Sequence, residues 1–128
     1  MQKEIIATEK APQAIGPYSQ AVRVGSLVFL SGQIPLDPAT GEISGRDAAE
    51  QARRVMENLR AVLHAAGVGF SDVMRSTIYL TDLRDFAKVN EVYGSYFPTE
   101  PPARATVQVA ALPRGASIEI DMIAYGGT

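Results

Sequence analysis

The sequence contains no cysteine and only one histidine, His64. The absence of cysteine excludes disulfide bonds, thiolate metal sites and a cysteine nucleophile. A single histidine gives poor support to a histidine-based metal site or a Ser-His-Asp triad, so we expect no metal site. The candidate catalytic groups are therefore the other polar side chains.

An excess of charge and long apolar runs are also missing. The chain has 12 basic and 14 acidic residues, a formal net charge of −2 and a pI of about 5.3. This balance offers no overall attraction for nucleic acid or for anionic membranes, although it leaves room for a local basic cleft. No apolar run approaches the ~20 residues of a membrane span. The first residues also lack the pattern of a secretory signal, so we expect a cytoplasmic protein with no membrane or nucleic-acid partner.

The length and the hydrophobic periodicity predict a single domain over residues 1–128. No repeat or long linker divides the chain. A mixed sheet with two helices on one face is the α+β architecture that this element order favours. Strands are predicted over residues 4–7, 21–24, 27–31, 73–80, 103–111 and 117–125, and helices over residues 47–66 and 86–97.

The two predicted helices carry contrasting polar residues. In the first, Asp47 is expected to cap the N-terminus, and His64 falls on the solvent side opposite the apolar stripe. In the second, Asn90 falls on the apolar stripe that contains Phe86 and Tyr93, where an unpaired amide would cost ~1–3 kcal/mol. Asn90 therefore needs polar partners, either as a structural hydrogen bond to nearby backbone or as part of a site.

The last two strands place polar side chains at alternate positions. Arg104 and Thr106 share one face of their strand, and Glu119 and Asp121 share one face of the next. We expect all four on the sheet face that the helices leave open. That face is either wet or covered by other subunits of a closed oligomer.

Arg104 and Glu119 are the strongest candidates for chemistry. A guanidinium can hold a carboxylate with two parallel hydrogen bonds, and a half-buried glutamate can act as a general acid or base. The alternative is structural: Arg104 in an ion pair with Glu119 or Asp121. The connection from residue 112 to 116 is short, so the two strands must run antiparallel, with Arg104 and Glu119 ~16 Å apart along them. One small substrate would then need Arg104 of one chain and Glu119 of another.

Two further segments could contribute to a ligand site. Ser31 and Gly32 end a predicted strand, and Gly32 would let a ligand approach the backbone N–H groups closely. Tyr18 lies in a Gly-Pro loop, where its phenol could bind a ligand or simply pack on the surface.

Five segments together resemble the reactive-imine deaminase (RidA/YjgF/UK114) family. They occur in the family's order and cover nearly the whole chain from about residue 4 to residue 125. The segments are Ala14-Ile15-Gly16-Pro17-Tyr18-Ser19-Gln20-Ala21, Ser31-Gly32-Gln33-Ile34-Pro35, Asp85-Phe86-Ala87-Lys88-Val89-Asn90, Pro102-Ala103-Arg104-Ala105-Thr106-Val107 and Ile118-Glu119-Ile120-Asp121.

The resemblance implies a chorismate-mutase-like fold assembled as a homotrimer, with sites between subunits. It also implies hydrolysis of 2-imino acids, such as 2-iminobutanoate and 2-iminopropanoate, to 2-keto acids and ammonia without a cofactor. The residues implied as catalytic are Tyr18, Arg104 and Glu119, and those implied as substrate-binding are Ser31, Gly32, Asn90, Arg104 and Thr106.

One position departs from the family pattern, and two other functions stay open. Deaminases of this family usually have cysteine where this chain has Thr106, so no thiol can take part in turnover here. If residue 106 acts through its backbone N–H, threonine can supply that group as well as cysteine. The threonine hydroxyl and methyl groups could alter substrate preference. The alternatives are an endoribonuclease or translation inhibitor of the L-PSP type and a non-catalytic trimer that binds small carboxylates. The acidic pI and the lack of an aromatic-basic stripe disfavour the ribonuclease.

Overall fold

A computed structural model describes residues 2–127, which form a six-stranded mixed sheet with two helices on one face. The strand order is β1-β2-β3-β6-β4-β5, and only β4 and β5 pair in parallel. None of the described helices has the length and apolar character needed to cross a membrane. The elements are β1 (Glu4–Ile6), β2 (Ala21–Val24), β3 (Leu27–Gln33), α1 (Ala48–Ala65), β4 (Val73–Leu80), α2 (Phe86–Gly94), β5 (Ala103–Gln108) and β6 (Ile118–Tyr125).

The β2–β3 hairpin forms where the sequence predicts it. Gly25 adopts a φ of 59°, which glycine reaches without steric cost, and with Ser26 it makes the two-residue turn. Strand β3 runs two residues beyond the predicted end. Its pairing with β6 is irregular between Leu30 and Gln33, and this irregularity contains Ser31 and Gly32.

Helix α1 supplies one side of the hydrophobic core. Asp47 caps it as predicted, its side chain accepting a hydrogen bond from the Glu50 N–H at 2.9 Å. Val55, Met56 and Leu59 are fully buried against the sheet. His64 is exposed at the last turn, which confirms its predicted place on the solvent side.

Helix α2 is shorter than predicted and buries only part of the predicted stripe. It ends at Gly94, and the chain continues through turns to the buried Phe97. Val89 and Val92 are buried, whereas Asn90 is exposed; the predicted position of Asn90 on the apolar stripe is therefore wrong. Tyr93 of the predicted stripe is buried together with the two valines, whereas Phe86 is exposed.

Strand β5 corrects the predicted distribution of polar side chains. It ends at Gln108 rather than at residue 111. Arg104 is paired with the buried Ser76 of β4, so its side chain lies on the helix side of the sheet, as does that of Thr106, two residues further on. Glu119 is paired with Tyr79 on the opposite, open face. The prediction that all these polar groups share the open face is wrong.

The register also revises the distance between Arg104 and Glu119. Strands β5 and β6 run antiparallel, as predicted, but β4 lies between them. Arg104 is level with Ser76 and Glu119 with Tyr79, so the offset along the strands is three residues rather than five. Together with two strand spacings, this places their backbones roughly 14 Å apart. The predicted offset is two residues too large because it assumes a turn centred one residue too late: Arg104 lies level with Met122 across β4.

Candidate functional site

The candidate site residues divide between two separate clefts on the chain. The first, which we call the Glu119 cleft, has a volume of about 380 Å³ and contains Tyr18, Ser31, Gly32 and Glu119 in its lining. The second, the Arg104 cleft, has a volume of about 430 Å³, and its lining includes Asn90 and Arg104. Neither cleft contains both Arg104 and Glu119, the two residues predicted to carry the chemistry.

The carboxyl group of Glu119 is half-buried and accepts no hydrogen bond from residues 2–127. Burial, in the first place, and the nearby negative charge of Asp121, in the second, raise the pKa of Glu119. Asp121 itself accepts a hydrogen bond from the Tyr79 hydroxyl at 3.0 Å. Glu119 is therefore a carboxylate without a cation of its own, in surroundings that favour its protonated form more than water does.

The irregular end of β3 forms the floor beneath Glu119. The Glu119 side chain packs against the Gly32 backbone, in the space that a Cβ would occupy. Ser31 donates its hydroxyl hydrogen to the Ser19 carbonyl at 2.5 Å, which ties the loop carrying Tyr18 to the strand. In this chain Ser31 therefore positions the loop, and Gly32 makes room for the carboxylate.

Tyr18 lies at the rim of the Glu119 cleft with about half of its surface exposed. Its hydroxyl accepts a long hydrogen bond, 3.4 Å, from the Ile15 N–H within the same loop. Gln20, which is buried, fixes the base of this loop through hydrogen bonds to the backbone of Thr8 and Pro12. Tyr18 is thus available to a ligand from a loop that is anchored at its base.

Arg104 is held in place by α2. Its Nη1 donates to the Asn90 Oδ1 at 2.7 Å, and its guanidinium lies 5.5 Å and 5.2 Å from the ring centroids of Phe86 and Tyr93. No carboxylate among residues 2–127 forms an ion pair with Arg104, so the alternative of a pair with Glu119 or Asp121 is wrong for this chain. A fixed and unpaired guanidinium is suited to binding an external carboxylate.

Thr106 differs from the other candidates because its hydroxyl points inward. Its Oγ1 is the one buried side-chain polar atom that finds no hydrogen-bond partner within residues 2–127. A hydroxyl in that position offers nothing to a ligand in an open cleft. The geometry leaves the backbone of Thr106 as the group able to contribute to a site.

The sequence did not single out the groups that orient Arg104 and Glu119. Tyr93 lies in the core as predicted and Phe86 does not, and the rings of both flank the guanidinium. The Tyr79 hydroxyl on β4 donates a hydrogen bond to Asp121 on the neighbouring strand β6, and no local sequence pattern predicts this contact. The only sequence signal for Phe86 and Tyr93 is their position on one helix, four residues before and three residues after Asn90.

The chain matches a protein family over almost its entire length. A family model described as Endoribonuclease L-PSP covers residues 8–126. Both clefts lie inside that range. The chain belongs to this family. Its resemblance to the reactive-imine deaminases is thereby confirmed, since Rid proteins and L-PSP proteins occur together among the similar structures.

Individual L-PSP relatives agree with this membership. Protein DfrA of Myxococcus xanthus is 65% identical, over 97% of this chain and 96% of that protein. The 2-iminobutanoate/2-iminopropanoate deaminase of Homo sapiens is 47% identical, over 98% of this chain and 91% of that protein. The crystal structure of TdcF of E. coli with bound serine superimposes with a TM-score of 0.91 at 49% identity, covering 95% and 98% of the two chains. The observed mixed sheet with two helices is the fold of that crystal structure.

Proposed function

We propose that this protein hydrolyses 2-imino acids, among them 2-iminobutanoate and 2-iminopropanoate, to 2-keto acids and ammonia. The observation that carries the proposal is a pair of groups that find no oppositely charged partner among residues 2–127: a fixed guanidinium and a half-buried carboxylate. A 2-imino acid supplies a carboxylate to the first and a reacting carbon to the second. Relatives named as imino-acid deaminases, 48% and 47% identical, support the assignment.

A homotrimer is the assembly that we propose for the active protein. The open face of the sheet exposes apolar side chains that alternate along the strands with core residues. A monomer would leave this patch in water, whereas a closed oligomer would bury it. The exposed residues on this face are Ile5, Leu27, Phe29, Val107 and Tyr125.

Each site would combine the Arg104 cleft of one subunit with the Glu119 cleft of its neighbour. Within one chain the two side chains leave opposite faces of the sheet, from backbones roughly 14 Å apart. A 2-imino acid has its carboxylate bonded directly to the imine carbon. A single subunit therefore cannot hold the carboxylate on Arg104 while Glu119 acts on that carbon.

Arg104 would orient the substrate before the chemical step. Asn90 occupies one of its Nη1 hydrogen bonds and stops the guanidinium from rotating, so the remaining N–H groups form a fixed fork for the carboxylate. Backbone N–H groups near Gly32 and Thr106 would complete the clamp, and Tyr18 would cover it from its loop. Orientation of this kind lowers the barrier because fewer degrees of freedom are lost at the transition state.

Glu119 would carry the proton transfers. As a carboxylate it accepts a proton from water while the water oxygen bonds to the imine carbon, giving a tetrahedral carbinolamine. It then returns this proton to the nitrogen and transfers the hydroxyl proton to the same nitrogen as well; the carbon–nitrogen bond breaks while the hydroxyl oxygen becomes the keto oxygen, and ammonia leaves. A carboxyl group whose pKa is raised toward neutrality is suited to both halves of this exchange.

A coupled assay tests the proposal. A serine/threonine dehydratase generates 2-iminopropanoate or 2-iminobutanoate in the cuvette, and keto-acid appearance is followed with and without this protein. We expect faster appearance with wild-type protein, no acceleration with Arg104→Ala, and an unchanged oligomer by light scattering. Unchanged acceleration with Arg104→Ala would overturn the assigned role of Arg104.

The same experiment separates the proposal from a non-catalytic carboxylate binder. A binder would still need Arg104 but would have no use for Glu119. Carboxylate binding without any rate acceleration, and with no effect of Glu119→Gln, would therefore replace the deaminase with a binding protein. An RNA-cleavage assay on the same preparations addresses the activity named in the family description.

A further inference from the structure

A third cleft lies on the solvent side of α1 and shares no lining residue with the two clefts of the proposed active site. Its volume is about 430 Å³. Two segments form it: the loop that carries Thr8 and Lys10, and the solvent side of α1. The charged or titratable residues in its lining are Lys10, Arg54, Glu57, Arg60 and His64. We call it the helix cleft.

The helix cleft is positively charged within an acidic protein. Lys10, Arg54 and Arg60 contribute three positive charges, and Glu57 contributes the one negative charge in the lining. The whole chain has a formal net charge of −2. Neither Lys10 nor Arg54 forms an ion pair with any acidic residue between positions 2 and 127. The cleft thus concentrates positive charge that the fold itself does not neutralise.

Arg60 is fixed by aromatic rings and by one ion pair. Its guanidinium lies 5.6 Å and 5.4 Å from the ring centroids of Phe70 and Tyr96. Its Nη2 lies 3.6 Å from the Glu57 Oε2, and that same oxygen accepts a hydrogen bond from the Tyr96 hydroxyl at 2.7 Å. Because Glu57 is shared with Tyr96, it neutralises Arg60 only in part.

Arg54 is oriented by a fully buried amide. Its Nε donates to the Asn58 Oδ1 at 3.1 Å, and the Asn58 Nδ2 donates in turn to the Leu36 carbonyl at 2.9 Å. This chain of contacts uses only Nε, so both Nη groups of Arg54 remain free. An arginine that is already oriented loses less conformational freedom when it binds an anion.

The loop on the other side of the cleft is anchored as well. Buried Gln20 bonds both the N–H and the carbonyl of Thr8, and the Lys10 N–H donates to the Thr8 hydroxyl oxygen at 3.2 Å. The backbone that carries the Lys10 ammonium is therefore held against the sheet. The helix cleft has fixed walls on both sides.

We propose that the helix cleft binds the phosphate group of a small phosphate monoester. The lining has an excess of two positive charges, which matches a phosphate dianion better than a single carboxylate. Two oriented guanidinium groups and an ammonium supply the donors that phosphate oxygens accept. His64 is the one ring among the described residues that line the cleft, with no phenylalanine, tyrosine or tryptophan to stack on a nucleobase, so the ligand is a small metabolite. This function is independent of imine hydrolysis.

The test is an NMR titration of the ¹⁵N-labelled protein at low ionic strength, where exposed charges are least screened. The probes are inorganic phosphate, glycerol 3-phosphate, malonate and a short single-stranded RNA. We expect saturable shifts at the amides of Lys10, Arg54 and Arg60 with both phosphates, and weaker binding of malonate. Loss of one charge-assisted contact in Arg54→Gln or Lys10→Gln should weaken glycerol 3-phosphate binding about tenfold or more.

Two matched variants make the titration specific to the helix cleft. Arg84→Gln removes an equally charged arginine that pairs with Asp82 elsewhere on the surface, and Arg104→Ala removes the proposed substrate clamp. Both should bind glycerol 3-phosphate as wild-type does. The proposal is overturned if binding does not saturate, if Arg84→Gln weakens it as much as Arg54→Gln, if malonate binds as tightly, or if only RNA binds.

Discussion

The carboxyl group of Glu119 packs against the backbone of Gly32, leaving no room for a side chain at position 32. A Cβ built there would lie 2.8 Å from the Glu119 Cδ, closer than real Cβ contacts allow. The irregular pairing of β3 with β6 brings these two residues together. Gly32 is therefore required by the position of Glu119, and its backbone φ does not lie in the left-handed region.

Gly32→Ala should displace the Glu119 carboxylate and lower kcat about tenfold or more, because general acid–base catalysis depends on close placement. The fold should remain, since a glutamate side chain can move into the open cleft. Gly69→Ala is the matched control: a Cβ there meets no atom within 4 Å. Equal kcat values in the two variants would show that the position of Glu119 does not matter to turnover.

The pH dependence of kcat/KM should report the raised pKa of Glu119. The base form is the carboxylate, so activity should fall on the acid side, with its midpoint above the ordinary value of 4.5. Asp121 contributes to the raised pKa by charge repulsion. Asp121→Asn removes that charge and should therefore move the acid midpoint to lower pH.

Tyr79→Phe is the control for this shift. It removes the hydroxyl that bonds Asp121 but leaves the Asp121 charge in place, so the midpoint should not move to lower pH. An acid midpoint that is the same in wild-type and Asp121→Asn proteins would argue against Glu119 as the base.

Arg104→Lys should separate charge from geometry at the carboxylate clamp. Lysine keeps the positive charge but loses the planar fork and the hydrogen bond geometry to Asn90. We expect kcat/KM for 2-iminobutanoate to fall about 10²-fold, the order of loss that follows substrate misplacement. Arg84→Lys, at an exposed arginine outside both clefts, should leave the rate unchanged. A nearly wild-type rate for Arg104→Lys would mean that charge alone suffices.

Thr106→Val should leave the free energy of unfolding unchanged or raise it by up to about 1 kcal/mol. The Thr106 hydroxyl is buried and finds no partner within the described residues 2–127, so its removal relieves a desolvation cost. The backbone N–H is retained, and activity should therefore persist. Chemical denaturation and the coupled assay measure the two quantities. A loss of stability would show that the hydroxyl finds a partner in the assembled protein.

Much of the fold follows from local sequence patterns. The β2–β3 hairpin, the Asp47 cap and strand β4 all occur where periodicity and turn chemistry place them. These features depend on residues close together in the chain. The length of α2 and the end of β5 were less well predicted, because tertiary packing rather than propensity decides where they stop.

The structure tests where the candidate site residues lie, and it differs from the predicted arrangement. Arg104 and Glu119 were identified as the key groups, and their separation within one chain was inferred from strand direction. Their placement on opposite faces was missed, because the parallel pairing of β4 with β5 fixes which way Arg104 points. Sequence alone gives the alternation of side chains along a strand, but it does not say which set faces the helices.

Subunit mixing tests the central claim, a site shared by Arg104 of one subunit and Glu119 of its neighbour. Arg104→Ala and Glu119→Gln proteins, each inactive, are unfolded, combined in equal amounts and refolded together. Random trimers should regain about a quarter of the wild-type rate, since each site needs one chain of each kind in one order. Variants refolded separately and then combined serve as the control. A mixture that forms hybrid trimers, confirmed by mass spectrometry, and remains inactive would contradict the shared site.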